Sequence, residues 1–174
     1  LFGLLCWQTI FAPVPGAFFH PFHVGPADLT REDFVSRRQA SFNQCFGLLA
    51  EGSYRNRILE NYRAKQGTTN PFVIWPVITE ELLSLALDCI PPEDLDKLFR
   101  RLLLNIREHR SGFPDLIRFF PGATDTAKRY EMIEVKGPGD RLQDHQIRWL
   151  EFFAAEGIPA SVCYVRWQGD GVMG

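Results

Sequence analysis

Apolar positions along the front of the chain recur every three or four residues, the spacing that lines one face of a helix. The opening run LFGLLCWQTIF is apolar on nearly every side and reads as a core helix entered midway. The next stretch, APVPGAFFHPFHVGPAD, holds too many breakers for regular structure. Thr30 then offers an N-cap, with Glu32 and Asp33 in the first turn. Phe34, Phe42, Phe46 and Leu49 keep helical spacing until Gly52. Ser53 is positioned to cap a second helix, YRNRILENYRAKQ, closed by Gly67. Thr79 begins a third, EELLSLALDCI, whose carboxylates sit at the end that the helix dipole favours. Pro91 and Pro92 open a fourth, EDLDKLFRRLLLNIREHR, with its basic end just before Gly112.

Beyond Gly112 the period falls to two. PDLIRFF and YEMIEVKG are β-type runs joined by the polar loop PGATDTAKR, the pattern of a hairpin. A helix is predicted over roughly 142–156, with Ile147, Leu150 and Phe153 on one stripe and Gly157 past its end. Its start has two candidates: Asp140 with Gln143 resembles a capping box, and Gln143 itself is a weaker beginning. ASVCYVRW is a third strand, and a connection through a helix favours parallel pairing with YEMIEVKG. The predicted class is α/β. A mostly helical part, 1–111, is expected to precede a compact ββαβ mixed-sheet core, 112–167, and a tail, 168–174, in one domain that is expected to belong to a larger protein.

Composition narrows the class without naming a chemistry. A length of 174 residues with 15 phenylalanines suits a domain with a real core. A net charge of −2 does not advertise nucleic-acid binding, although a local basic patch remains compatible with it. Cys6, Cys45, Cys89 and Cys163 lie far apart in apolar contexts, with no zinc spacing, and are expected to be buried free thiols. No run is long enough to span a bilayer, so no membrane partner is expected. No GK[ST] follows the GPGD turn at 137–140, and no small-molecule cofactor is expected.

The anomaly lies in YEMIEVKG. Alternation puts Met132, Glu134 and Lys136 on one face of the strand and Ile133 and Val135 on the other. These eight residues alone fit a solvent-exposed edge strand whose outer face is wet. Asp115, at the head of the preceding strand, changes that picture, because an antiparallel hairpin of this size brings it near Glu134 and Lys136. Two carboxylates about 4 Å apart repel by about 4 kcal/mol at an effective dielectric near 20. A hard divalent cation such as Mg²⁺ removes that penalty and carries water that can attack a phosphodiester. Lys136 beside it can orient that water or stabilise charge on a phosphoryl oxygen.

The pattern Pro114-Asp115…Glu134-Val135-Lys136 resembles the PD-(D/E)xK signature of restriction-endonuclease-like folds. Its context, GFPDL, IEVKGPGDRLQDHQIRWL and the VCYV strand, resembles the virus-type replication–repair nuclease (VRR-NUC) domain. With LFGLLCWQTIF and SRRQASF at 36–42, it resembles the Fanconi-associated nuclease version, in a form similar to bacterial members. The resemblance is strongest over 112–165. It implies metal binding by Asp115, Glu134 and the Val135 carbonyl, Lys136 as the catalytic lysine, and Gln146 held close to the site. It also implies Mg²⁺ or Mn²⁺ as cofactor, and branched or 5′-flapped DNA as substrate. Endonuclease and 5′ exonuclease activity in interstrand-crosslink repair would follow, in the bacterial nucleoid or a nucleus, with upstream domains of the same protein as partners. The family's further metal-binding Glu would lie before Leu1.

Other conspicuous residues have blander readings beside sharper ones. His20 and His23 lack a complete ligand set, and His109 and His145 fit exposed positions. Arg107, Arg110 and Arg141 are the candidate DNA contacts; Arg37, Arg38, Arg100 and Arg101 fit either phosphate contacts or solvated helix faces. Trp149, three residues after Gln146, fits the core better than a base-stacking platform. Competing functions are a junction-resolving or restriction-type nuclease, a catalytically silent DNA-binding module, and a helical protein-interaction domain. The last explains the front half but not the charged strand.

Overall fold

The computed structural model describes residues 1–19, 24–125 and 129–166. His20 and His23 lie outside them. The chain divides into two compact units, Leu1–Arg107 and Glu108–Gly174.

The first unit is helical, but its breaks differ from the periodic pattern. The opening run forms two single turns, α1 (Phe2–Leu5) and α2 (Trp7–Ile10), separated at Cys6. A one-turn helix leaves its carbonyls without intrahelical partners. Buried Asn61 and Asn70 supply them: Asn61 Nδ2 donates to the Leu4 carbonyl at 2.7 Å and Asn70 Nδ2 to that of Gly3 at 3.2 Å. The next helix, α3 (Gln39–Glu51), starts well after Thr30, behind a 3₁₀ turn at Ser36–Arg38. Asp28 explains the delay. Its buried carboxylate accepts from both Arg38 guanidinium nitrogens, at 2.8 and 3.0 Å, and from Arg37 at 3.1 Å, holding 28–38 as turns. Gly52 ends α3 at φ 78, a conformation that favours glycine.

α4 (Tyr54–Lys65) follows Ser53, whose hydroxyl makes no cap. α5 (Glu80–Cys89) is capped as its sequence suggests, with Thr79 accepting from the Leu82 amide at 3.1 Å. The predicted fourth helix is two: α6 (Pro92–Leu104) stops at Asn105, which is extended, and α7 (Ile106–His109) follows. The apolar faces of α3, α4, α5 and α6 bury Phe42, Ile58, Leu87 and Leu95.

The second unit carries a three-stranded mixed sheet. β1 (Leu116–Phe119) pairs antiparallel with β2 (Tyr130–Lys136), with Leu116 opposite Ile133. β3 (Ala160–Tyr164) pairs parallel with β2, with Lys136 beside Tyr164. β2 is therefore central rather than an edge strand, and the face bearing Tyr130, Met132, Glu134 and Lys136 is buried. α8 (Asp144–Glu156) starts at Gln143, not Asp140: Gln143 and Gln146 form a reciprocal capping box, and Gly157 ends the helix at φ 71. The expected ββαβ order stands.

Candidate active site at the end of the central strand

The hairpin register carries Asp115 one residue past the β1 ladder, opposite Glu134. There its carboxylate replaces a strand partner: Asp115 Oδ2 accepts from the Val135 amide at 2.9 Å. A residue's N–H and C=O point to the same side of a strand. The Val135 carbonyl therefore faces the edge where Asp115 sits.

Glu134 is 1% exposed and Lys136 6%. Burial of such charges is tolerated only when they are paired and hydrogen-bonded. Both conditions hold. Lys136 Nζ donates to Glu134 Oε1 at 2.5 Å, and Gln146 Nε2 donates to the same oxygen. Gln146 is itself oriented by the helix cap, because its Oε1 accepts from the Gln143 amide at 2.9 Å. One side chain thus both begins α8 and holds Glu134. Each carboxylate has one oxygen engaged by these donors; no other donor among the described residues reaches the second.

The loop ahead of Asp115 is clasped to α8. Trp149 Nε1 donates to the Ser111 carbonyl at 3.1 Å, and Phe113 stands edge-on to Trp149 and Phe153, at ring separations of 5.0 and 5.9 Å. Trp149 is core, as its sequence position suggests. Gly112 has φ 77, and a Cβ there would lie 2.6 Å from the His145 backbone. Only glycine fits between this loop and the first turn of α8. The sequence pattern marks Gly112 as a helix stop and hides this closer role, whose one trace is a glycine three residues ahead of Asp115.

The remaining candidates separate clearly. Arg107, Arg110 and Arg141 are exposed, Arg141 on the loop joining β2 to α8. In that loop Asp140 Oδ2 accepts from the Gly137 amide at 2.9 Å. Arg38 is buried against Asp28 and structural. His109 and His145 are half-buried rather than exposed: His109 packs edge-on against Trp149, and His145 faces Gly112. Cys163 is exposed, unlike Cys6, Cys45 and Cys89, because it lies at the end of β3, where both closing residues of the strand are exposed. Glu80 is engaged by the Arg63 guanidinium, whose hydrogen bonds hold its carboxyl below the ordinary value.

Asp115, Glu134 and the Val135 carbonyl are hard oxygen donors, the class that suits Mg²⁺ or Mn²⁺. The donor set therefore fits such an ion. Among the described residues no group of three or more His, Cys, Asp or Glu side chains that could hold a metal ion converges.

The VRR-NUC domain family profile matches residues 49–167. A Fanconi-associated nuclease 1 homolog of Pseudomonas aeruginosa is 56% identical over 170 residues, covering 98% of this chain and 30% of that protein. The Caenorhabditis elegans homolog is 38% identical over 180 residues, covering 98% of this chain and 20% of that protein. A crystal structure of paFAN1 bound to 2nt 5′ flap DNA with a gap superposes with a TM-score of 0.90 at 55% identity, over 98% of this chain and 30% of that one. The chain thus spans less than a third of the length of these relatives.

Proposed function

Because the chain belongs to the VRR-NUC domain family, in its Fanconi-associated nuclease branch, we propose that it is the hydrolytic part of a structure-specific DNA nuclease. The observation that carries this reading is the Asp115 carboxylate on the Val135 amide beside a buried Glu134–Lys136 pair. Nucleases of this kind are metal-dependent. We assign the metal-binding role to Asp115, Glu134 and the Val135 carbonyl, with Mg²⁺ or Mn²⁺ as the ion. When bound, such an ion supplies Lewis-acid charge and an acidified water.

The protein's own part is positioning and charge. Lys136 places a cationic Nζ beside Glu134, where it can orient a water or meet charge developing on a phosphoryl oxygen. Gln146 fixes the Glu134 carboxylate through a side chain held by its own helix cap. A buried pair whose carboxylate accepts from both Lys136 and Gln146 resists rotation, so the geometry exists before substrate arrives. Arg110, Arg141 and Arg107 are assigned to phosphate contacts, which position DNA without reading sequence.

The proposed substrate is flapped or branched DNA, cut by 5′ flap endonuclease and 5′ exonuclease action during interstrand-crosslink repair. The flap-bound relative supports that choice. The remaining length of the relatives supports a role as one domain of a longer protein, whose other parts are its partners in binding DNA. No helix among the described residues is long and apolar enough to cross a membrane, and the proposed location is with DNA, in nucleoid or nucleus. The test is cleavage of labelled 5′-flap, nicked and plain duplexes with Mg²⁺ or Mn²⁺. Preference for the flap supports the reading; equal turnover of all three removes its structure specificity.

A further inference from the structure

The catalytic face does not end at Lys136. In the parallel pair β2–β3, directly paired residues project to the same side, and Tyr164 is the partner of Lys136. Strands lie about 4.8 Å apart, so the Tyr164 ring stands next to the lysine stem on the face of the site. Pairing runs one residue further, where the Val165 amide donates to the Lys136 carbonyl at 2.8 Å. This keeps the end of β3 pinned to the end of β2.

Tyr164 is 63% exposed, the most exposed of the large hydrophobic side chains described in 108–166. Core packing does not explain it. Its strand partner is Lys136, and the exposed Arg166 follows two residues on. The carboxyl ends of parallel strands are where ligands of open α/β sheets bind. An exposed aromatic ring with an exposed arginine close by in sequence, beside the site, is an arrangement that can hold a nucleotide: the ring takes a base face and the arginine a phosphate.

Resting on the nuclease reading above, we propose that Tyr164 is a stacking shelf for an unpaired nucleotide next to the scissile phosphate, with Arg166 beside it on the backbone. A base inside a duplex has both faces covered by its neighbours. Only a flap, gap or strand end offers a free face, so the shelf favours the branched substrate over continuous duplex.

The test uses the whole chain with Ca²⁺ in place of the catalytic ion, and two probes. One is a 5′-flap duplex carrying 2-aminopurine at the first unpaired position; the other is the same duplex nicked without a flap. Wild-type protein is expected to quench the 2-aminopurine. Tyr164→Ala should lose that quenching and bind the flapped probe about tenfold more weakly, with a smaller change on the nicked probe. Tyr164→Trp should keep both signals. Unchanged quenching and affinity in Tyr164→Ala, or equal losses on both probes, overturns the shelf while leaving the nuclease reading intact. Failure of the wild type to bind either probe overturns both.

Discussion

Breaking the Glu134–Lys136 pair from one side should destabilise the fold more than removing it whole. At 2.5 Å, with an effective dielectric near 20, the attraction between the two charges is about 6–7 kcal/mol. Against it stands desolvation of two side chains that are 1% and 7% exposed, several kcal/mol for each ion. The pair therefore contributes little net stability, but each partner neutralises a charge that burial would otherwise penalise. Glu134→Gln keeps the shape and an oxygen for Lys136 and Gln146, yet leaves an ammonium without its anion. Lys136→Met leaves the carboxylate instead. Each single change is expected to destabilise by about 3–5 kcal/mol. That lowers Tm by roughly 6–20 °C for a chain of this size. The double variant should lose far less than the sum. Urea unfolding followed through tryptophan fluorescence measures all four corners of the cycle. Single effects that add to within about 0.5 kcal/mol would refute the pairing.

Other expectations are simpler. Asp115→Asn keeps an oxygen for the Val135 amide at an exposed site, so stability should change by less than about 1 kcal/mol while flap cleavage is lost. Full cleavage would remove Asp115 from the site. Gly112→Ala combines positive φ with a Cβ 2.6 Å from the His145 backbone, which does not yield like a flexible side chain. A loss of about 2 kcal/mol or more in urea is expected, and slower cleavage as Asp115 shifts; a change under about 0.5 kcal/mol would contradict the clasp. A thiol reagent should titrate Cys163 in the native chain and all 4 cysteines after denaturation. Rapid native reaction of a second thiol would show that the first unit's core opens. Arg141→Ala should flatten the slope of log affinity against log salt by about one unit, and an unchanged slope would remove it from the phosphate contacts.

The parts of this fold most legible in sequence are those set by local chemistry. Period-two alternation places Glu134 and Lys136 on one face of β2, and the helical crossover makes β3 parallel, because both follow from backbone geometry. Thr79 is likewise a cap in sequence and in structure. Long-range polar contacts were hidden. Asp28 and its two arginines hold turns where phenylalanine spacing suggests helix, and Asn61 and Asn70 let the opening helix break at Cys6. The resemblance put Gln146 near the site. Its double engagement, with the Gln143 amide and with Glu134, needs three segments in space. Arg38 shows the opposite error, a candidate phosphate contact whose charge is spent inside the fold.

The central proposal is that Asp115 and Glu134 act together on a divalent cation. The most direct measurement is the rate of 5′-flap cleavage against Mn²⁺ concentration for wild type and Glu134→Gln, with folded protein in each confirmed by circular dichroism. Wild type is predicted to show saturable dependence on Mn²⁺ and no cleavage in excess chelator. Glu134→Gln should be slower by about a hundredfold or more at every concentration. Cleavage that persists in chelator, or a Glu134→Gln rate equal to wild type, would contradict the account.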